Sequence, residues 1–183
     1  RRSPRLQPPP DRVTPPTSTT ALNDDPALTV RLVEGDNPIR IVVDEKIADE
    51  FVKRFANKAR NLPLGDPRKP EPVVLGSVIG MGTVDHCNGL IDDALAKGAK
   101  LVCGGKSTDT LMPATLLDHV TPAMTAAREE TFGPAAAIIR VESPEQAIAV
   151  ANQTPFGLGA ALWTSDPDRA RILSRQMDAG AVF

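Results

Sequence analysis

The side chains with chemical potential in this 183-residue chain are few. They are two cysteines, two histidines, a glycine cluster and one acidic-aromatic turn. Cys87 falls on the apolar face of a helical pattern, and Cys103 ends a buried-looking strand. Neither has a basic neighbour in sequence that would favour a thiolate, so both read as buried thiols rather than nucleophiles. His86 and His119 lie far apart, and adjacent His86 and Cys87 on a helix cannot grip one ion, so no metal is expected. Gly76, Gly80 and Gly82 follow the order G-x-x-x-G-x-G after a proline-rich connection. A dinucleotide fingerprint needs G-x-G-x-x-G between a strand and a helix, so these glycines read as a turn. The segment Arg128-Glu129-Glu130-Thr131-Phe132-Gly133-Pro134 leads straight into an apolar strand. A carboxylate here can accept hydrogen bonds from both hydroxyls of a ribose, and the phenylalanine can pack a flat heteroaromatic ring. An ordinary exposed turn fits the same residues.

Strands and helices alternate around these residues. Ile39–Val43 reads as a buried strand, and Asp44 caps a helix whose apolar face is Ile47, Phe51, Val52, Phe55, Ala59 and Leu62. Val84, Cys87, Leu90, Ile91, Ala94 and Leu95 mark a second helix, stopped at Gly98. Lys100–Cys103, Pro113–Leu117, Ala135–Val141 and Leu158–Trp163 read as strands, with a turn at Gly104-Gly105. Ser143-Pro144 and Asp166-Pro167 open two further helices, and Ala181–Phe183 begins a last strand. This order predicts an α/β layer with a largely parallel sheet flanked by helices.

Composition narrows the classes. Net charge is −2, which leaves no basic field for nucleic acid. No apolar run reaches the length of a membrane span, and no signal-peptide core precedes the first strand. Two reduced cysteines fit a cytoplasmic setting. The 18 prolines are unevenly spread, with eight (Pro4, Pro8, Pro9, Pro10, Pro15, Pro16, Pro26 and Pro38) before residue 39. Residues 1–38 therefore read as a solvated, disordered proline-rich segment, except that the alternation in Leu28–Val33 suits one short strand. The absent initiator methionine and the unfinished last strand lead to the expectation of a chain truncated at both ends.

In order and spacing, the motifs from Ile39 to Phe183 resemble those of the aldehyde dehydrogenase catalytic domain. They include RIVVDEKIADEFV at Arg40–Val52, LIDDALAKGAKLVCGG at Leu90–Gly105, REETFGP at Arg128–Pro134 and AIAVANQTPFGLGAALWT at Ala147–Thr164. The stretch Val73–Thr121 looks like salicylaldehyde and vanillin dehydrogenases, whereas FGLGAALWT and DAGAVF look like succinate-semialdehyde dehydrogenases. The resemblance implies an NAD- or NADP-dependent enzyme of a homo-oligomeric family that oxidises a small-molecule aldehyde to an acid. In the family a cysteine thiolate attacks the aldehyde and a glutamate activates the water that releases the acid. By position, Glu130 corresponds to the glutamate that holds the nicotinamide ribose, and Phe132 to the phenylalanine beside the nicotinamide. The nucleophile position falls at Gly35, which has no side chain, and the segment carrying the general base is absent. The resemblance thus implies residues 39–183 as a partial catalytic domain, inactive by itself. The other reading is a non-catalytic interaction protein that pairs with a full-length relative.

Overall fold

The fold comes from a computed structural model that describes residues 29–32 and 40–183, with side chains from residue 40 onward. Among the described residues seven strands form one sheet: β1 (Thr29–Leu32), β2 (Arg40–Asp44), β3 (Lys100–Cys103), β4 (Thr115–Asp118), β5 (Ala135–Val141), β6 (Gly159–Trp163) and β7 (Ala181–Val182). Their spatial order is β3-β4-β5-β2-β1-β6-β7. Strands β2, β4, β5, β6 and β7 run one way, whereas β1 and β3 run against them. The sheet is mostly parallel, as its alternation with helices requires. The short strand expected within Leu28–Val33 is β1, which pairs antiparallel with both β2 and β6. The sheet therefore draws one strand from the chain before residue 39. Residues 1–28, and Gly35 with its neighbours, lie outside the described residues.

Among the described residues four α-helices accompany the sheet: α1 (Glu45–Arg60), α2 (Met81–Ala96), α3 (Pro144–Ala151) and α4 (Pro167–Ser174). Each boundary has a local cause. The Asp44 carboxylate accepts from Lys46 N at 3.0 Å, Ser143 Oγ accepts from Gln146 N at 3.1 Å, and Asp166 accepts from Asp168 N and Arg169 N. These bonds satisfy amide donors that the first turn cannot pair internally. At the β3–β4 turn Gly104 has φ +71°, and a Cβ there would collide with the Ala114 carbonyl oxygen. That position requires glycine.

The two faces of the sheet are packed separately. Ile41, Val43, Leu116 and Ile138 pack beneath α1, against Ala48, Val52, Ala56 and Ala59. Val42, Leu117, Ala137, Ile139 and Val141 point to the other face and pack with α2 and α3, along with Leu173 and Met177. The in-register pairing of Arg40–Asp44 with Ala137–Val141 imposes this alternation on both central strands. Val42, Val43 and Ile138 are fully buried, each contributing about 1.5–3 kcal/mol.

Two details of the α1 expectation change. Leu62 lies beyond the helix, which stops at Arg60, and it is exposed. The most buried residues of the helix are Ala48 and Ala56, whereas Ile47, Phe51 and Phe55 are partly buried and pack against the same cluster. A helix that packs closely on a sheet needs small residues along its line of contact. Among the described residues, no helix is long and apolar enough to cross a membrane, and no cluster of His, Cys, Asp or Glu could hold a metal ion.

Candidate functional site

The segment joining β4 to β5 contains Glu130 and Phe132. It starts with a single 3-10 turn at Thr125–Ala127, which the sequence patterns did not anticipate. Helix α2 anchors this turn. The Asp93 carboxylate accepts from Thr125 N at 3.0 Å and, in a very short contact, from Thr125 Oγ1. Lys97, one helical turn further on, reaches the same carboxylate at 2.6 Å. The hydrogen bond from Lys97, with those from Thr125, holds the Asp93 carboxyl at about 2. At its far end the segment joins the sheet, where Pro134 O accepts from Thr115 N at 2.7 Å.

Between those anchors, α2 holds two successive carbonyls. His86 Nε2–H donates to Glu130 O at 2.8 Å, and the Cys87 thiol donates to Thr131 O at 3.0 Å. His86 and Asp93 are two turns apart on one side of α2, so one helix edge carries both contacts. Thr131 is buried, Glu130 is half-buried and Phe132 is 55% exposed. Phe132 adopts φ +48°, a left-handed conformation that non-glycine residues rarely occupy. Such strain persists only where the surroundings enforce it. Here the two carbonyls held just before it, Glu130 O and Thr131 O, turn the chain, and Phe132 is left exposed.

The structure thus brings Glu130 and Phe132 into one short, strained, half-open segment. A half-buried glutamate and an exposed phenylalanine, two residues apart, suit a ligand with both hydroxyls and a flat ring. Neither cysteine is available as a nucleophile. Cys87 is fully buried beneath Gly133, and burial pushes its thiol up. Burial also raises the Cys103 thiol, against a smaller lowering by Arg60. Gly76 and Gly80 lie in the loop before α2 and Gly82 in its first turn; the preceding element is α1, not a strand. That is the turn reading of these glycines.

Sequence reasoning missed the supporting residues His86, Asp93 and Thr125. Asp93 and Thr125 make a side-chain contact across 32 residues, and His86 bonds a main-chain oxygen, so no spacing rule exposes either.

A sequence profile of the aldehyde dehydrogenase family matches residues 37–183. The vanillin dehydrogenase of Pseudomonas fluorescens is 43% identical over 141 residues, which cover 77% of this chain and 29% of that protein. Among solved structures, a salicylaldehyde dehydrogenase from Pseudomonas putida G7, complexed with salicylaldehyde, superposes with a TM-score of 0.76 at 43% identity. An NADP-dependent glyceraldehyde-3-phosphate dehydrogenase from Bacillus halodurans C-125, complexed with NADP, gives 0.75 at 39% identity. Each of these two matches covers 78% of this chain and 30% of the other. The chain spans about three tenths of the length of the relatives it matches. Profile, sequence identity and superposition agree that the chain belongs to the aldehyde dehydrogenase family.

Proposed function

We propose that residues 39–183 are a catalytic-domain segment of an NAD(P)-dependent aldehyde dehydrogenase, and that Glu130 and Phe132 are its contacts to the nicotinamide half of the cofactor. The observation that carries this reading is the pinned Glu130–Phe132 segment, in which Glu130 is half-buried and Phe132 is exposed at φ +48°. When bound, the cofactor supplies the acceptor of the aldehyde's hydride. The Glu130 carboxylate accepts hydrogen bonds from the two ribose hydroxyls and fixes the sugar. The Phe132 ring covers one side of the nicotinamide and keeps water from it.

The oxidation itself needs a thiolate beside the aldehyde. Cys87 and Cys103 are buried with raised thiol pKa values, so neither supplies one. The chain alone therefore does not turn over aldehydes, and because Glu130 and Phe132 contact only the nicotinamide half of the cofactor it binds NAD(P)+ weakly, at about the millimolar level. Its aldehyde substrate and homo-oligomeric assembly belong to the complete enzyme.

Grafting residues 39–183 into the Pseudomonas putida G7 salicylaldehyde dehydrogenase, in place of the matching stretch, tests this reading. The graft should reduce NAD(P)+ in the presence of an aldehyde, and Glu130→Gln within it should raise the KM for NAD(P)+. An active graft in which Glu130→Gln leaves that KM unchanged refutes the cofactor role. Reduction of NAD(P)+ by the purified 183-residue chain refutes the claim that it is inactive alone.

A further inference from the structure

We infer that His86 and Cys87 are positioning residues for cofactor binding, acting through the main chain of the segment that carries Glu130 and Phe132. The inference rests on the reading of those two residues as cofactor contacts. Three observations support it. Two adjacent side chains of α2 hold two adjacent carbonyls, at 2.8 Å and 3.0 Å. The Cys87 sulfur also fills the space under Gly133, where a Cβ would lie 2.5 Å from it. The residue between the second held carbonyl and that glycine is Phe132, at φ +48°.

Together these contacts decide which way the chain faces. With Glu130 O and Thr131 O both turned to α2, the Thr131 side chain is buried. Phe132 is left exposed and Glu130 half-buried. Releasing either carbonyl lets the peptide planes rotate, and Phe132 then has no reason to stay in a left-handed conformation. Packing alone does not ask for this arrangement, because an apolar side chain at position 86 would reach the same segment without fixing its carbonyl. The structure thus assigns His86 a hydrogen-bonding task and Cys87 both a bonding and a space-filling one.

The test uses the full 183-residue chain, labelled with nitrogen-15 and titrated with NAD+ and with NADP+ up to about 10 mM, the concentration range of weak sites. The parent should show amide shifts at Glu130–Gly133 with a dissociation constant of about 1 mM. His86→Leu should bind about tenfold more weakly, the scale of one buried hydrogen bond. His86→Gln, which keeps a donor nitrogen at similar reach, should restore binding to within about twofold. Amide protection across β5 and α2 should stay unchanged in both variants, which separates positioning from general loss of structure.

If His86→Leu does not fold, Cys87→Val against Cys87→Ser reads the second contact in the same way. Parent-like affinity in His86→Leu, or in Cys87→Val when that pair is used, overturns the inference, provided Glu130→Gln weakens binding. If Glu130→Gln has no effect, or the parent shows no shifts at Glu130–Gly133, the cofactor reading itself fails. The positioning role then fails with it.

Discussion

Replacing Gly133 by alanine places a methyl group where the thiol of Cys87 already sits. The new Cβ would lie 2.5 Å from Sγ, well inside van der Waals contact, and the sulfur is fully buried with no solvent into which to move. The φ of Gly133 is not positive, so alanine meets no backbone penalty there. The steric conflict therefore sets the cost, which for one forced methyl in a packed site is about 1–3 kcal/mol. Cys87→Ala alone removes the sulfur and its bond to Thr131 O, for about 1–3 kcal/mol. In the double variant the alanine methyl occupies the vacated space, with the Cβ of residue 87 at 3.9 Å, an ordinary contact. The double variant should cost no more than Cys87→Ala alone, giving a favourable coupling of about 1–3 kcal/mol. Urea unfolding followed by far-ultraviolet circular dichroism measures all four corners of the cycle. Additivity within about 0.5 kcal/mol would refute the steric argument.

Arg140 donates from Nε and Nη2 to the Asp118 carboxylate at 3.1 Å and 2.7 Å, and it also reaches Glu45 and Asp49. Burial pushes the Asp118 carboxyl up, but the hydrogen bonds and charge of Arg140 outweigh it and leave it below the usual range. Arg140→Ala strands that buried carboxylate and should cost about 3–5 kcal/mol in urea unfolding; a loss under about 1 kcal/mol would contradict this. Phe132→Gly relieves the left-handed backbone and should raise stability by about 0.5–1 kcal/mol while weakening NAD(P)+ contact. A stability decrease by urea unfolding would show that Phe132 is not strained. Asp93 has its folded carboxyl pKa depressed from 3.8 to about 2, so its stabilising contribution is present above pH 3.8 and lost as pH falls toward 2. The stability difference between parent and Asp93→Asn, read from urea midpoints, should shrink across that window; a constant gap would exclude Asp93 as the titrating group.

Elements with a purely local cause were legible in the sequence. Lys100–Cys103 and Ala135–Val141 form strands with the expected limits, and Asp44, Ser143 and Asp166 cap the helices they precede. Hydrophobic periodicity identified α1 and, apart from Leu62, its packed face, but it passed over Ala48 and Ala56, which are more deeply buried than the larger side chains beside them. Glu130 and Phe132 are proposed from a motif, and nothing in the motif shows the left-handed backbone at Phe132. The supports of that segment were invisible for a different reason. His86 and Cys87 bind carbonyl oxygens, which every residue possesses, so sequence carries no mark of the partner.

Strand β1 makes the continuity of the sheet depend on the chain before residue 39. β2 and β6 share no ladder with each other, and each is bonded to β1. Removing residues 29–32 therefore cuts the hydrogen-bonded sheet into two rafts, β3-β4-β5-β2 and β6-β7, each with a newly bare inner edge. The rafts would then be joined by the chain through α3, by hydrophobic contacts that include Val42 and Ala160, and by the bond from Arg40 Nη1 to Gln153 O at 2.8 Å. Four residues of the least family-like part of the chain act as the hinge pin of the whole layer, and trimming them as a tail would leave two interior strands open to pairing with other molecules.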